Sequence, residues 1–343
     1  MSWKRWAFTA LSFAAVFAIS VYFILRWWRA GGAVELPPRA HLLALAAVVT
    51  EILTRSWKIT WSAKAVRIRL PFMTALRTTL AGDFGASLTP ARTGAEPARF
   101  LVLAEAKVPA SSAFVVLYAE LFLEMLSLAT VIAVVAIVFR HAGFVLGALM
   151  ALVGTYSLVI LGVAVVAVVL ARRPARLDAP PWARRLGIGD RRWPIIERWI
   201  GQVRMTVAAM HSIDLRWAGV SYLASVAHVT MRLCVLPALV LGAGGHAPLA
   251  PLALWPLGLL YGTAIVPAPG GGGAVELAFT AALSKVIGPG LFAAALLWWR
   301  FYTFYIYILL GGLAAGRTVF RALGKTERLE QELARREVPE PAR

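Results

Sequence analysis

The sequence predicts an all-α, polytopic membrane helix bundle with about six full spans and two inverted re-entrant helical hairpins. Of its 343 residues 60% are hydrophobic and the mean hydropathy is +0.73, values that belong to a membrane class rather than to soluble domains. Residues 7–25 and 141–171 carry no formal charge, and between Trp217 and Val275 the only one is Arg232, whereas a helix needs ~20 apolar residues to cross hydrocarbon. The net charge of +18 is concentrated in connections, the pattern of cationic loops held on the cytoplasmic side. That placement argues against nucleic acid as a partner.

Taken in order, the first span covers about residues 7–25. Lys4 and Arg5 precede it as in a signal peptide, but Arg26-Trp27-Trp28-Arg29 follows instead of a small-residue cleavage site. A second span returns over about 40–56. The stretch 55–77, with Arg55, Lys58, Lys64, Arg67, Arg69 and Arg77, then reads as cytoplasmic. Residues 112–139 and 142–171 form an antiparallel pair joined at Arg140-His141, so residues 73–108 must enter and leave on one side. Gly82, Gly85, Pro90, Gly94 and Pro97 break that stretch into the first re-entrant hairpin.

The loop 172–216 holds ten Arg against Asp178, Asp190, Glu197 and Asp214, with an interfacial helix expected around 195–211. A span at about 217–241 leads out, and a final span at about 290–313 leads back to the basic tail. Residues 250–288 therefore begin and end outside, interrupted by Pro267-Ala268-Pro269-Gly270-Gly271-Gly272-Gly273. Helical pieces of about 14 residues reach only ~20 Å and cannot cross, which gives the second hairpin; two ordinary kinked helix pairs are the plainer alternative. Residues 1–316 thus form one transmembrane domain and 317–343 a cytoplasmic tail, in the inner (cytoplasmic) membrane with both termini inside.

Paired, Pro/Gly-broken segments in the two halves of a membrane protein point to a transport site near the bilayer centre. In the first hairpin Thr93 and Glu96 are spaced as a capping box, and Pro97 fits only a first helical turn. Gly273 and Glu276 repeat the arrangement in the second. Helix N-termini there offer free N–H groups to a phosphate or carboxylate, and Arg92 and Arg99 add guanidinium groups that match phosphate oxygens. A simple Glu96–Arg99 pair one turn apart is the structural alternative.

Glu120 and Glu124 share one face of the third span. Buried carboxylates are costly, so they should face the bundle interior and either share a proton or meet Arg99, Arg232 or Arg300. His228 reads as a helix–helix hydrogen bonder, and the five histidines show no metal spacing. The single cysteine, Cys234, excludes an intramolecular disulfide. Hydrolase, metalloprotease and P-loop motifs are missing from the sequence, so neither enzyme chemistry nor a cofactor is expected.

Several of these residues carry a resemblance. Pro90-x-Arg92-x-Gly94-x-Glu96-x-x-Arg99, then Glu120 and Glu124, then Pro267-x-Pro269-Gly270-Gly271-x-Gly273-x-x-Glu276, and finally Arg300 resemble the transmembrane, flippase-like domain of lysylphosphatidylglycerol synthases and its stand-alone relatives, over about residues 40–315. The resemblance implies a bundle that moves polar-headgroup lipids between leaflets. The synthases add a soluble aminoacyltransferase domain that this sequence lacks, so lipid aminoacylation is not implied. Stand-alone relatives are linked to hopanoid, isoprenoid-phosphate and glycolipid pathways.

The expectation is therefore a lipid translocator acting on a phospholipid, isoprenoid-phosphate or hopanoid-type lipid. Its substrate-binding residues would be Arg92, Thr93, Gly94, Glu96, Arg99, Glu120, Glu124, Arg232, Pro269, Gly270, Gly271, Gly273, Glu276 and Arg300. The alternative is a non-transporting scaffold that presents lipid to a partner enzyme of lipid or glycan biosynthesis; its sign would be a sealed interior in which every buried charge is paired and no groove opens to lipid.

Overall fold

The computed structural model describes residues 35–89, 91–138, 213–262 and 271–318 continuously, with parts of 11–29 and 147–210. Pro90, the Arg140-His141 turn, Pro267 to Gly270 and the tail beyond residue 318 lie outside the described residues.

All described regular structure is helical. The helices are α1 (Pro38–Ala65), α2 (Phe72–Leu88), α3 (Ala95–Glu105), α4 (Ala110–Val138), α5 (Pro181–Arg185), α6 (Trp193–Met210), α7 (Leu215–Gly242), α8 (Leu249–Gly262), α9 (Ala274–Leu283) and α10 (Pro289–Thr318). Among the described residues α4, α7 and α10 are long and apolar enough to cross a membrane, and α8 and α9 are shorter apolar helices.

Local chemistry sets the ends. Pro38 and Pro289 occupy first-turn positions of α1 and α10, where a missing N–H costs nothing. Asp214 caps α7 by accepting from the Arg216 N–H at 3.0 Å. The turns after α1 and α3 place Arg67 and Lys107 at φ of 62° and 59°. In the basic loop, the Ala179 N–H and then Arg184 donate to Asp190 and hold its carboxyl below the usual range.

Helices α1 and α7 form the most extensive pair. Ala40, Ala44 and Ala47 are buried along α1, and a Cβ on Gly242 would stand 2.9 Å from the Ala40 Cα. Small residues bring the backbones together where no hydrophobic force between helices exists in lipid. Outward, the bundle shows Leu42, Phe122, Leu126, Val134, Leu223 and Leu313; inward it buries Glu51, Arg55, Lys58, Glu120, Glu276 and Arg300. Apolar outside and ionic inside is the inverse of a water-soluble domain and suits a lipid solvent.

Helices α2 and α3 pack closely through glycine. A Cβ on Gly85 would collide with the Gly94 carbonyl and the Ala98 side chain. Gly311 brings α10 onto the same helix, since a Cβ there would lie 2.7 Å from the Phe84 Cβ.

The structure corrects the boundary of the second span. α1 is one helix through Ala65, and Arg55 and Lys58 are buried in it rather than exposed in a cytoplasmic loop. The reason is partnership: each finds acids on neighbouring helices, which outweighs the preference of isolated cations for water.

Candidate functional site

Two ionic clusters share α1. In the first, Lys58 Nζ lies 2.5 Å from Glu120 Oε1 and 2.7 Å from Glu124 Oε2. Arg99, from α3, donates to Glu120 Oε2 at 2.9 Å and to Glu96 Oε1 at 3.2 Å. Its side chain passes α2 where Gly82 leaves space, because a Cβ there would collide with the Arg99 chain. His228 Nε2 stands 4.0 Å from Glu124 Oε1.

In the second cluster Arg55 pairs with both carboxylate oxygens of Asp83, and its Nε is 3.5 Å from Glu51. The Tyr307 hydroxyl donates to Glu51 Oε2 at 2.7 Å. Beside it Arg300 Nε donates to Glu276 Oε1 at 2.7 Å, and Ser20 donates to the same oxygen at 2.7 Å. The other Glu276 oxygen accepts from the Gly273 N–H at 2.8 Å, so the acid closes the first turn of α9.

Between these groups lies a cavity of about 30 Å³, lined by Asp83, Ser87, Arg92, Arg232, Arg300 and Tyr307. That is room for roughly one water. Asp83 and Arg300 already hold partners, but among the described residues no hydrogen bond or ion pair reaches Arg92 or Arg232. Arg232 is 9% exposed and lies 5.9 Å from the Tyr307 ring centroid. Around the cavity Arg55, Arg92, Arg232 and Arg300 stand against Glu51, Asp83 and Glu276, an excess of one cation. An unpaired guanidinium at this depth is costly unless an anion completes it.

Local backbone holds the cavity in shape. Ala91 and Arg92 both adopt positive φ, 49° and 60°, a conformation that costs about 1–2 kcal/mol per non-glycine residue and that clusters at functional sites. Directly after Arg300, residues Phe301–Tyr305 form a π-turn, which sets Thr303 and Phe304 on the cavity wall; such bulges recur at functional sites.

A family model described as lysylphosphatidylglycerol synthase TM region matches residues 10–311. The chain belongs to the lysylphosphatidylglycerol synthase TM region family. It is accordingly a multi-pass membrane protein tied to membrane lipids, and the match is to the family's TM region rather than to its catalytic domain. No curated protein matches the chain.

In this family member the sequence motifs converge unevenly. Arg92, Arg232 and Arg300 meet at the cavity, whereas Arg99, Glu96, Glu120 and Glu124 form the separate Lys58 cluster. Glu120 and Glu124 thus take Lys58 and Arg99 as partners, not Arg232 or Arg300. Thr93 and Glu96 do not build a capping box: the N-cap of α3 is Gly94, with no side-chain cap, and the Gly94 N–H goes to Thr89 Oγ1 at 2.7 Å. Among the described residues neither ring nitrogen of His228 finds a hydrogen-bond partner, contrary to the helix–helix role expected of it. Gly271 and Gly273 have positive φ, 65° and 79°; Pro269 and Gly270 lie outside the described residues.

Sequence reasoning missed Glu51, Arg55, Lys58, Asp83 and Tyr307. The signal was there: Glu51, Arg55, Lys58 and Ser62 recur at helical spacing, and all four are buried.

Proposed function

We propose that the chain moves an anionic lipid between leaflets of the inner membrane, holding its headgroup at Arg92, Arg232 and Arg300. The observation that carries this reading is two arginines at one cavity, Arg92 and Arg232, that among the described residues no carboxylate contacts directly, in a bundle where Arg55, Lys58 and Arg300 each contact one. Guanidinium groups fit phosphate oxygens and do not lose their charge on burial.

In this reading α2–α3 and α8–α9 are the two re-entrant hairpins, opened from opposite faces. They deliver Asp83, Ser87 and Arg92 from one side and Leu260 from the other. The narrow cavity corresponds to a state that widens to admit a headgroup while the lipid tails stay in hydrocarbon. The excess of Arg and Lys in the basic loop and tail supports cytoplasmic placement of both termini. The unpaired cations weigh against the scaffold alternative, whose interior charges would all be matched.

The test is lipid scrambling in proteoliposomes with headgroup-labelled phosphatidylglycerol. The wild type should equilibrate the label across the bilayer, and Arg232→Gln should slow it about tenfold or more, the loss expected for one charged hydrogen bond. Equal rates in the two proteins, both above protein-free vesicles, would remove Arg232 from the mechanism; no rate above protein-free vesicles would remove transport itself.

A further inference from the structure

A second, larger groove of about 650 Å³ opens between α1 and α7, lined by Leu43, Ala47, Thr50, Cys234 and Ala238 with Arg39 at one end. Its volume falls in the range of about 300–1,000 Å³ common to ligand pockets. Helix α7 separates it from the buried cavity: Met231 and Cys234 line the groove, while Arg232 lines the cavity. Gly242, which lines the groove with Arg39, packs closely against Ala40 of α1.

Arg39 is fixed there by a single bond, its Nε donating to the Gly242 carbonyl at 2.5 Å. Among the described residues no carboxylate pairs with it. The remaining guanidinium donors form the fork that suits a phosphate. Leu42, Leu43 and Leu241 are exposed beside it, so the surroundings are hydrocarbon with one uncompensated cation at the rim.

We propose that this groove is a binding site for an anionic glycerophospholipid, distinct from the transport cavity, with an acyl chain along Leu43, Ala47, Cys234 and Ala238 and the phosphate at Arg39. A net negative headgroup is favoured over a zwitterion because among the described residues no carboxylate pairs with Arg39 to mark a place for an ammonium. Bound there, the lipid wedges between the two helices that carry Lys58, Arg55, His228 and Arg232, and so braces both ionic clusters.

Native mass spectrometry of the full chain, released from nanodiscs of mixed phosphatidylglycerol and phosphatidylcholine, tests the site. The wild type should retain phosphatidylglycerol preferentially. Arg39→Gln should lower that retention about tenfold, the cost of one charge-assisted hydrogen bond, while Arg39→Lys keeps most of it. Arg232→Gln should retain the lipid even where transport is lost, which separates this site from the transport reading. A readout on the unaltered protein uses Cys234, its only cysteine: maleimide alkylation should be severalfold slower in phosphatidylglycerol than in phosphatidylcholine nanodiscs. Equal retention of the two lipids in the wild type, no effect of Arg39→Gln, or equal alkylation rates would mean an adventitious lipid only and overturn the proposal.

Discussion

Lys58 and Glu120 lie 2.5 Å apart with both side chains fully buried, on α1 and α4. Neither would tolerate hydrocarbon alone. Their attraction, with Glu124 and Arg99 on either side, allows four charges to sit inside the bundle and fixes how α1, α3 and α4 meet.

Removing Lys58 should therefore be among the most damaging single changes. Lys58→Met leaves Glu120 and Glu124 facing each other without their shared cation, a loss of about 3–5 kcal/mol for a broken buried pair. Thermal unfolding in detergent should show a large drop for Lys58→Met and partial recovery in Lys58→Met/Glu120→Gln. No drop would mean that the cluster does not hold the helices together.

Arg92 should behave in the opposite way. Because no acid pairs with it, Arg92→Gln should leave thermal stability unchanged or slightly raised while scrambling of labelled phosphatidylglycerol falls about tenfold or more. A large stability loss with intact transport would make it a structural residue.

Gly85→Ala should part α2 from α3, since the added methyl has the Gly94 backbone in its way. Overpacking of this kind costs about 1–3 kcal/mol. Gly262→Ala, where a Cβ meets nothing within 4 Å, serves as the control and should unfold like the wild type.

Glu276→Gln weakens three bonds at once, to Arg300, Ser20 and the Gly273 N–H. The start of α9 should loosen and Arg300 should lose its counter-ion. Faster amide exchange at residues 271–276 in deuterium-exchange mass spectrometry is the expected result; unchanged exchange would show that Glu276 does not close that turn.

The long helices were legible because apolar runs without charge admit few other structures in a lipid solvent: α4, α7 and α10 follow directly from them. Arg55 and Lys58 were misplaced for a related reason. Charge density along the chain reports which segments favour water, but a buried cation is retained by acids distant in sequence, Asp83 for Arg55 and Glu120 with Glu124 for Lys58. Only helical phase could have revealed that Glu51, Arg55 and Lys58 share a face. Arg92 and Arg99 looked alike as motif residues; the positive φ at Arg92 and the space at Gly82 send them to different clusters, which spacing alone does not encode.

The central claim is that an anionic headgroup enters the cavity of Arg92, Arg232 and Arg300. A phosphatidylglycerol analogue with a photoreactive group on its headgroup, crosslinked in proteoliposomes and mapped by peptide mass spectrometry, tests it most directly. Adducts on the peptides spanning 83–92 and 300–307, lost in Arg92→Gln/Arg232→Gln, are the predicted result; adducts confined to outward-facing surfaces such as Phe122 and Leu223, and unaltered in the double variant, would contradict it.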